Sequence, residues 1–486
     1  MSKRPLSPER PLLALRHGSF ASSRAIEDLL ATIREHGLPD SISRRTHFRQ
    51  RASAINDLQT PYGPILRDVT LGSHVIPVEA PLPMLFTTCQ VSAPFRDRML
   101  EMLRRHPCSP DRPWSIVLYS DEISPQNPLA AGVDQRKVQA IYWTLREIGH
   151  DVSYAEELWF TLAIIRSTVV QSLAGGMSTV LYNLLPLFFG DSGHDIRTSG
   201  ILLNLCGTRT FLHCQIAVHI SDEPALAAVL GAKGHAGNKP CPCCRNITSR
   251  AWANSDLNLE PITSIDLSKW VPHTDETVRA VFRRLASVAA TGTKAQLEEL
   301  ETMLGWKHCP SNVVCFGAGE FRPISTLMFD WMHIFVAHGL LDREFELFAA
   351  AVQKQHPRFG LLRQLNDYVQ KWTLPRQFAS ISTVFSKGKL SATASQQLSL
   401  VPVLAKFCRD VLHGHIEPKA LDSMLALCRL VELVREVSQH NCNADTLHDA
   451  TMEYAKSHQS AHGSAHWVFK HHQALHLPGM LRKHGG

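Results

Sequence analysis

The stretch Trp114-Ser-Ile-Val-Leu-Tyr-Ser-Asp121 decides the fold class, because a short run of β-branched and aromatic residues that ends in polar residues is typical of a buried strand. Three similar runs follow at residues 138–145, 158–165 and 210–220. Between the third and fourth runs, residues 167–190 carry no charge. We interpret them as buried helix rather than as a membrane span, since their polar side chains would be costly in lipid. This order of elements predicts an α/β fold.

The chain after residue 222 changes to helical periodicity. Apolar residues recur at helical spacing in residues 223–229, 274–289, 294–304, 335–355 and 420–437. Of the 486 residues, 44% are hydrophobic and 19% are charged, which provides a sizeable core and excludes an intrinsically disordered chain. The formal net charge of +6 permits a polyanionic partner without requiring one.

The N-terminal region is rich in proline and arginine. Its first residues contain no apolar signal-peptide core, so we expect a reducing compartment, in which the 12 cysteines are buried apolar residues or metal ligands. Four arginines, Arg44, Arg45, Arg49 and Arg51, cluster closely. A solvated surface is favoured there over a patch that contacts phosphate or directs nuclear import.

Two aspartates, Asp121 and Asp222, each follow the carboxyl end of a predicted strand. A single aspartate in this position is usually a turn residue or a helix cap. If the first and fourth strands are neighbours, however, the two carboxylates converge on one edge of a sheet, where acidic oxygens hold a pair of divalent cations. Such a site hydrolyses or transfers phosphodiesters.

A second group of residues has the composition of a zinc site. Cys241 and Cys244 have the Cys-x-x-Cys spacing with which two thiolates grip one Zn²⁺. Asp330 and His333 are three residues apart and share one face of a helix, which presents a carboxylate and an imidazole together as candidates for the other ligands. The alternative is that the cysteines are buried free thiols and His333 is a core histidine.

The C-terminal sequence Lys470-His-His-Gln-Ala-Leu-His-Leu-Pro478 contains three histidines, of which His472 and His476 have i, i+4 spacing. We favour a packed terminal segment over a metal site for this sequence. The chain has no Walker-type phosphate loop and no dinucleotide fingerprint, which argues against nucleotide hydrolysis. Cys243 is a poor protease nucleophile, because only a metal would lower its pKa in this context.

These residues, in this order, resemble the CACTA (En/Spm-type) DNA transposases of plants and their relatives in other eukaryotes. The resemblance rests on six phrases that occur in sequence: Leu118-Tyr-Ser-Asp121, Asp222-Glu-Pro-Ala225, the cysteines at 241–244, Asp330 to His333, Ala394-Ser-Gln-Gln397, and His476-Leu-Pro478. It implies an RNase H-like mixed sheet that is interrupted by a mainly helical zinc-binding insertion.

The resemblance also divides the chain into four parts. These are an N-terminal basic region (1–110), an RNase H-like core with four strands (111–230), a helical zinc-knuckle insertion (231–390) and a helical part that completes the core (391–486). The implied activity is cutting and joining of DNA with two Mg²⁺ ions.

The resemblance assigns roles to individual residues. It makes Asp121 and Asp222 ligands of the Mg²⁺ ions. It makes Cys241, Cys244 and His333 ligands of a structural Zn²⁺, with Asp330 as a fourth ligand or an indirect partner.

The sequence departs from the family at the third catalytic position, where Gln396 stands in place of a glutamate. Glutamine keeps the shape of the side chain but loses its charge, so we expect the second Mg²⁺ to bind poorly and activity to be weak. The alternatives are an inactive, domesticated DNA-binding or interaction protein and an unrelated α/β scaffold. The expected partner is DNA, contacted mainly through its phosphate backbone, with a homo-oligomer left open. A nuclear location follows from that substrate alone.

Overall fold

The computed structural model describes residues 59–124, 136–149, 158–190, 193–249, 258–317, 320–373, 385–386, 389–390, 392–414, 416–437 and 441–485. The chain divides into two compact units, Met1–Gln59 and Thr60–Gly486. The elements below belong to the second unit, except for Gln59. The borders expected near residues 110, 230 and 390 therefore do not separate compact units. The arginine cluster at residues 44–51 lies outside the described residues.

The strands of three or more residues are β1 (Leu66–Leu71), β2 (His74–Glu79), β3 (Trp114–Ile123), β4 (Val138–Leu145), β5 (Phe160–Arg166), β6 (Ile201–Leu205), β7 (Thr208–Leu212), β8 (Cys214–Ser221) and β9 (Leu327–Phe329). Two-residue strands pair Gln59–Thr60 with Gly63–Pro64, Ile247–Thr248 with Glu260–Pro261, and Phe385–Ser386 with Lys389–Leu390.

The α-helices are α1 (Pro81–Val91), α2 (Ala93–Arg105), α3 (Ser167–Ser172), α4 (Met177–Leu184), α5 (Glu223–Leu230), α6 (Asp275–Thr291), α7 (Lys294–Leu304), α8 (Trp331–Phe335), α9 (Leu340–Gln355), α10 (Leu361–Val369), α11 (Ala394–Phe407), α12 (Pro418–Val437), α13 (Ala444–His462) and α14 (Phe469–His484). The predicted helix at residues 294–304 is confirmed at both ends, and the other predicted helices differ at their ends.

Five strands form a mixed central sheet in the order β9-β8-β3-β4-β5. β3, β4 and β5 pair antiparallel in sequence. β8 lies on the other side of β3 and is parallel to both β3 and β9. The predicted α/β class is confirmed, and the first and fourth predicted strands are neighbours.

Three of the four predicted strands differ from the prediction at their boundaries, and the third differs only slightly, since β5 spans Phe160–Arg166 and not residues 158–165. β3 does not end before Asp121, because its polar residues continue to pair with β4, with Asp121 opposite Ala140. The fourth predicted run is interrupted at His213. Its first half, β7, forms a hairpin with β6, and its second half, β8, joins the central sheet. The Trp114 N–H donates to the His213 carbonyl at 2.7 Å, which aligns the start of β8 with β3.

The uncharged stretch at residues 167–190 folds as two short helices, α3 and α4, separated by Gly175 and Gly176. These glycines have φ values of 87° and 54°, and a Cβ at Gly175 would lie 2.2 Å from Cys309 Sγ. The helical prediction is thus confirmed with an interruption. Within the part of the chain that the structure describes, no helix has the length and apolar character needed to cross a membrane.

The start of several helices follows from local chemistry. Thr274 and Thr293 form capping boxes at α6 and α7. α9 begins later than predicted, because His338 has a positive φ of 51° and Gly339 is the N-cap. Residues 335–339 therefore belong to the end of α8 and to a turn.

The C-terminal helices return to the sheet. α9 packs against α12, α12 against α13, and α13 against α14, while α14 also contacts α8 and β9. One apolar core extends from β1 and α1 through the sheet to these helices. The last helix thereby reaches the edge of the sheet at which β9 ends.

Candidate functional site

Three aspartates follow one another across the carboxyl ends of three neighbouring parallel strands. In the register of these strands, one row consists of Tyr119, Ile220 and Met328. Two positions further along the same strands come Asp121, Asp222 and Asp330. Because neighbouring strands lie about 4.8 Å apart and side chains two positions apart share a face, these carboxylates occupy one edge and one face of the sheet.

A buried polar cluster holds β3 and β8 together directly before the aspartates. The hydroxyls of Ser120 and Ser221 share a hydrogen bond of 2.7 Å. His219 Nε2 lies 3.4 Å and 3.2 Å from these two hydroxyl oxygens. The strand register is therefore maintained up to the positions of the carboxylates.

Burial and mutual repulsion both act on the carboxylate of Asp121. Burial raises the pKa of Asp121 and the carboxylate of Asp222 raises it further, against hydrogen bonds from the Tyr119 hydroxyl and the Glu122 amide. The Tyr119 hydroxyl donates to Asp121 Oδ2 at 3.1 Å. Burial, followed by Asp121, Asp330 and Asp222, raises the pKa of Tyr119, so all three carboxylates act on one phenol.

Asp222 and Asp330 also cap the helices that follow their strands. Asp222 Oδ1 accepts from the Ala225 amide, and Asp330 Oδ1 accepts from the Met332 amide, each at 2.8 Å. The helix-capping role that is usual for an aspartate directly after a strand is thus confirmed for Asp222. Both caps fix the direction of the carboxylate relative to the sheet edge.

His333 faces this acidic edge and is not at a zinc site. Its Nδ1 lies 2.8 Å from Asp330 Oδ2. That hydrogen bond raises the pKa of His333 against the effect of burial, and the charges of Asp330, Asp222 and Asp121 raise it further. The prediction that Asp330 and His333 complete the cysteine site is therefore corrected, because the strand before Asp330 carries both residues to the aspartates.

Lys470 of α14 closes the acidic edge from the opposite side. Its Nζ donates to the carbonyl oxygens of His333 and His338 at 2.7 Å and 2.8 Å. Burial lowers the pKa of Lys470, while nearby carboxylates, including Asp222 and Asp330, raise it. Together with His333, this lysine places positive charge among the carboxylates.

Asp330 borders two cavities. One, of about 230 Å³, is lined by Asp222, Asp330, His333 and Lys470 among others. The other, of about 790 Å³, extends along the sheet face and has an aromatic lining of Tyr119, Tyr142, Trp159, Phe329 and Trp331. The acidic edge is thus continuous with an aromatic cleft.

The cysteine site is completed by the last helix. Cys241, Cys244, His472 and His476 place their ligand atoms within 4.8 Å of one another. His476 Nε2 lies 3.4 Å from Cys241 Sγ and 3.3 Å from Cys244 Sγ. His472 Nε2 lies 3.7 Å from Cys244 Sγ and 3.2 Å from His476 Nε2.

These separations match a tetrahedral zinc site. Zn–S bonds of about 2.3 Å and Zn–N bonds of about 2.0–2.1 Å place tetrahedral sulfur and nitrogen ligands about 3.5 Å apart and two nitrogens about 3.3 Å apart. Burial lowers the pKa of His472, against the effect of Cys241, which raises it. Against the effect of burial, hydrogen bonds from Cys243 and Cys244 lower the pKa of Cys241. The cluster is compatible with a structural zinc.

The surroundings of the zinc ligands hold them in place. The Arg245 amide donates to the Val271 carbonyl, and the His273 amide donates to the Cys243 carbonyl, each at 2.8 Å. The Trp270 ring lies over His472 with ring centroids 4.3 Å apart. The segment Cys241–Cys244 therefore contacts residues 270–273 on one side and α14 on the other.

Sequence reasoning missed the two histidine ligands. The prediction of a packed terminal segment is confirmed in that His472 is completely buried, but the segment also carries ligand atoms. The i, i+4 spacing of His472 and His476 was the available signal. Nothing in the local sequence connects them to Cys244, which is 228 residues from His472.

Gln396 has a local role at the start of α11. Its Oε1 accepts from the Thr393 amide at 2.8 Å within a capping box. Gln396, the predicted replacement of a catalytic glutamate, is thus engaged in helix capping. The three aspartates, in contrast, already supply three carboxylates at the sheet edge.

Comparison of the chain with protein-family models and with curated proteins gave no match.

Proposed function

We propose that the protein is a transposase-like protein, derived from a DNA transposon, that cuts and joins DNA at the edge formed by Asp121, Asp222 and Asp330. The observation that carries this proposal is that the three aspartates each come two positions after one paired row of three neighbouring parallel strands. Two-metal phosphodiester chemistry needs several carboxylates that converge from a rigid scaffold. The sheet provides that scaffold.

The sheet topology supports an RNase H-like interpretation of the fold. Three antiparallel strands are followed by a fourth strand that lies parallel to the first one on its free side, and a fifth strand continues the sheet beyond it. A long and mainly helical segment, which contains the cysteine knuckle, separates β8 from β9 and continues after β9. This arrangement agrees with a core interrupted by a zinc-stabilised insertion.

Asp330 takes the third position in this proposal, in place of Gln396. Its carboxylate restores the negative charge that glutamine lacks, so the expectation of weak activity no longer follows. The carboxylate oxygens of the three aspartates do not all lie within 4.8 Å of one another. Two Mg²⁺ ions lie about 3.5–4 Å apart and are each held at about 2.1 Å, so the proposal requires that the three carboxylates are bridged by two ions and do not share a single one.

The chemistry assigned to this edge is in-line attack on a phosphodiester. When bound, the two Mg²⁺ ions activate a water or 3′-hydroxyl oxygen and stabilise the leaving oxygen. Asp121 and Asp222 on adjacent strands, with Asp330 after the third strand, would hold these ions. Lys470 and His333 balance the charge of the carboxylates.

The aromatic cleft supports DNA as the substrate. Tyr119 and Tyr142 are opposite each other on β3 and β4, and both are partly exposed toward the cleft. Aromatic faces stack on unpaired bases regardless of sequence. A DNA strand that crosses the acidic edge would therefore place a base in contact with these rings. A nuclear location remains part of this proposal.

The test is a cleavage assay on supercoiled plasmid and on an oligonucleotide with a free 3′-hydroxyl, with Mg²⁺ or Mn²⁺. Asp121→Asn, Asp222→Asn and Asp330→Asn should each lower the rate by at least about 100-fold, as expected for removal of one metal-binding carboxylate. Asp367→Asn is the matched control, because Asp367 is exposed on α10.

Gln396→Glu distinguishes the two assignments of the third position. If Asp330 is the third carboxylate, Gln396→Glu leaves the rate unchanged. If Gln396→Glu raises the rate while Asp330→Asn does not lower it, the assignment to Asp330 is wrong. Retention of DNA without any cleavage by the unchanged protein would favour the inactive DNA-binding alternative.

A further inference from the structure

A second cluster of ligand atoms lies among the C-terminal helices, apart from both sites described above. Glu344 of α9, His458 of α13 and His471 of α14 each place one ligand atom within 4.8 Å of the other two. All three side chains are buried, and Glu344 and His458 are completely inaccessible. The cluster therefore joins α9 to the consecutive helices α13 and α14, which are distant from it in sequence.

Glu344 is a buried anion without a permanently charged partner. Its Oε2 accepts from the Tyr454 hydroxyl at 3.1 Å and lies 2.7 Å from His458 Nδ1. Its Oε1 accepts from the Ser423 hydroxyl and lies 2.9 Å from His462 Nε2. None of these described partners is a lysine or an arginine, and an unmatched buried charge is strongly destabilising.

The histidines around Glu344 crowd one another. The ring centroids of His458 and His471 are 4.2 Å apart, and those of His458 and His462 are 5.2 Å apart. Charging several imidazoles at this separation would cost energy by mutual repulsion. A dication at this position would attract the Glu344 carboxylate and accept the lone pairs of neutral imidazoles.

Hydrogen bonds alone do not complete the cluster. His458 Nε2 is buried and has no hydrogen-bond partner in the part of the chain that the structure describes. Buried polar atoms are almost always satisfied, so this nitrogen indicates a missing partner of His458, on the side of the ring opposite the Nδ1 that lies 2.7 Å from Glu344. Imidazole and carboxylate together are a common ligand set of zinc.

We propose that Glu344, His458 and His471 bind a second structural transition-metal dication, of which Zn²⁺ is the expected occupant, with His462 beside the site. His458 and His462 have the i, i+4 spacing that places two imidazoles on one face of a helix. The ion joins α9, α13 and α14. This proposal is independent of the proposed DNA chemistry at the acidic edge.

The geometry of α14 connects the two metal sites. His471 and His472 are consecutive, and a helix turns about 100° per residue, so they leave the helix in different directions. His472 points to Cys244, whereas His471 points to Tyr454 and is stacked on Trp467 with ring centroids 4.6 Å apart. One turn of this helix therefore supplies a ligand to each site.

The test is a Co²⁺ titration of the full-length protein after removal of bound metal with a chelator. In the presence of excess Mg²⁺, which competes for the carboxylates of the acidic edge, two equivalents should bind with high affinity. One should show the intense thiolate-to-metal absorption of a cysteine site, and the other should show only the weaker bands of nitrogen and oxygen ligands. Binding of a single equivalent, with thiolate absorption alone, would overturn the proposal without the use of any variant.

Variants assign the second equivalent. Glu344→Gln and His458→Gln should each lose the equivalent that lacks thiolate absorption and keep the other one. His356→Gln is the matched control, because His356 is exposed, and it should keep both equivalents. Retention of two equivalents in folded Glu344→Gln and His458→Gln would place the second ion elsewhere. Circular dichroism establishes that each variant is folded.

Discussion

Removal of zinc from the Cys241, Cys244, His472 and His476 cluster should lower the stability of the protein by an amount that follows from chain length. The ion joins Cys244 to His472, which are 228 residues apart. A cross-link over a loop of this length restricts the unfolded chain by an entropy worth about 5 kcal/mol at 25 °C. This value is the expected loss of unfolding free energy upon chelation.

The expected change in melting temperature is modest, because the folded unit is large. Unfolding entropy is about 2.1 cal/mol/K per residue, so a loss of about 5 kcal/mol from a unit that spans Thr60–Gly486 lowers the melting temperature by about 6 °C. Differential scanning calorimetry with and without a zinc chelator measures this shift. Metal analysis of the same samples verifies that zinc has been removed.

Two cysteine variants provide the matched comparison. Cys244→Ser removes a ligand and should reproduce the effect of chelation. Cys243→Ser changes the neighbouring thiol, which is outside the four-residue ligand group, and should melt close to the unchanged protein. The zinc assignment is refuted if chelation and Cys244→Ser leave the melting temperature unchanged, or if Cys243→Ser lowers it equally.

Two further predictions concern stability. Gly175→Ala should lower the free energy of unfolding by about 1–3 kcal/mol in urea unfolding, because alanine is strained at a φ of 87° and its Cβ would meet Cys309 Sγ. Gly360 also has a positive φ, but a Cβ there would meet no other atom, so Gly360→Ala should lower the free energy of unfolding by less. Burial lowers the pKa of His219 to about 4, so the neutral form is favoured in the folded state and stability should fall as pH decreases from about 6.5 to 4. His219→Gln should remove up to about 1.4 kcal/mol per pH unit of this dependence, and equal slopes for both proteins would contradict the assignment.

The parts of the fold that depend on local sequence were predictable. The apolar run of β4 predicts its strand from Val138 to Leu145 without error, and the helix at Lys294–Leu304 is equally local. β9 could not be found, because a strand of three residues is too short for an alternating pattern to be recognised. This omission is the reason that Asp330 was placed on a helix face rather than at a sheet edge.

Both candidate sites depend on contacts between distant residues. Sequence reasoning identified Asp121 and Asp222 and the condition under which they meet, and the parallel pairing of β3 and β8 fulfils that condition. It identified Cys241 and Cys244 by their Cys-x-x-Cys spacing, but such a spacing relates only ligands that are close together in the sequence. The second half of the zinc site required knowledge of where α14 packs, which is determined by tertiary burial and not by local pattern.

The packing of α14 explains why the acidic edge and the zinc cluster belong to one structural unit. The Phe329 amide donates to Met480 Sδ at 3.4 Å, so the residue before Asp330 is attached to α14. Lys470, two residues before His472 on the same helix, donates to the carbonyl oxygen of His333 in the helix that Asp330 caps and to that of His338 in the turn after it. A displacement of α14 therefore moves Asp330 relative to Asp222. A zinc ion bound by Cys241, Cys244, His472 and His476 would thereby fix the helix that positions Asp330.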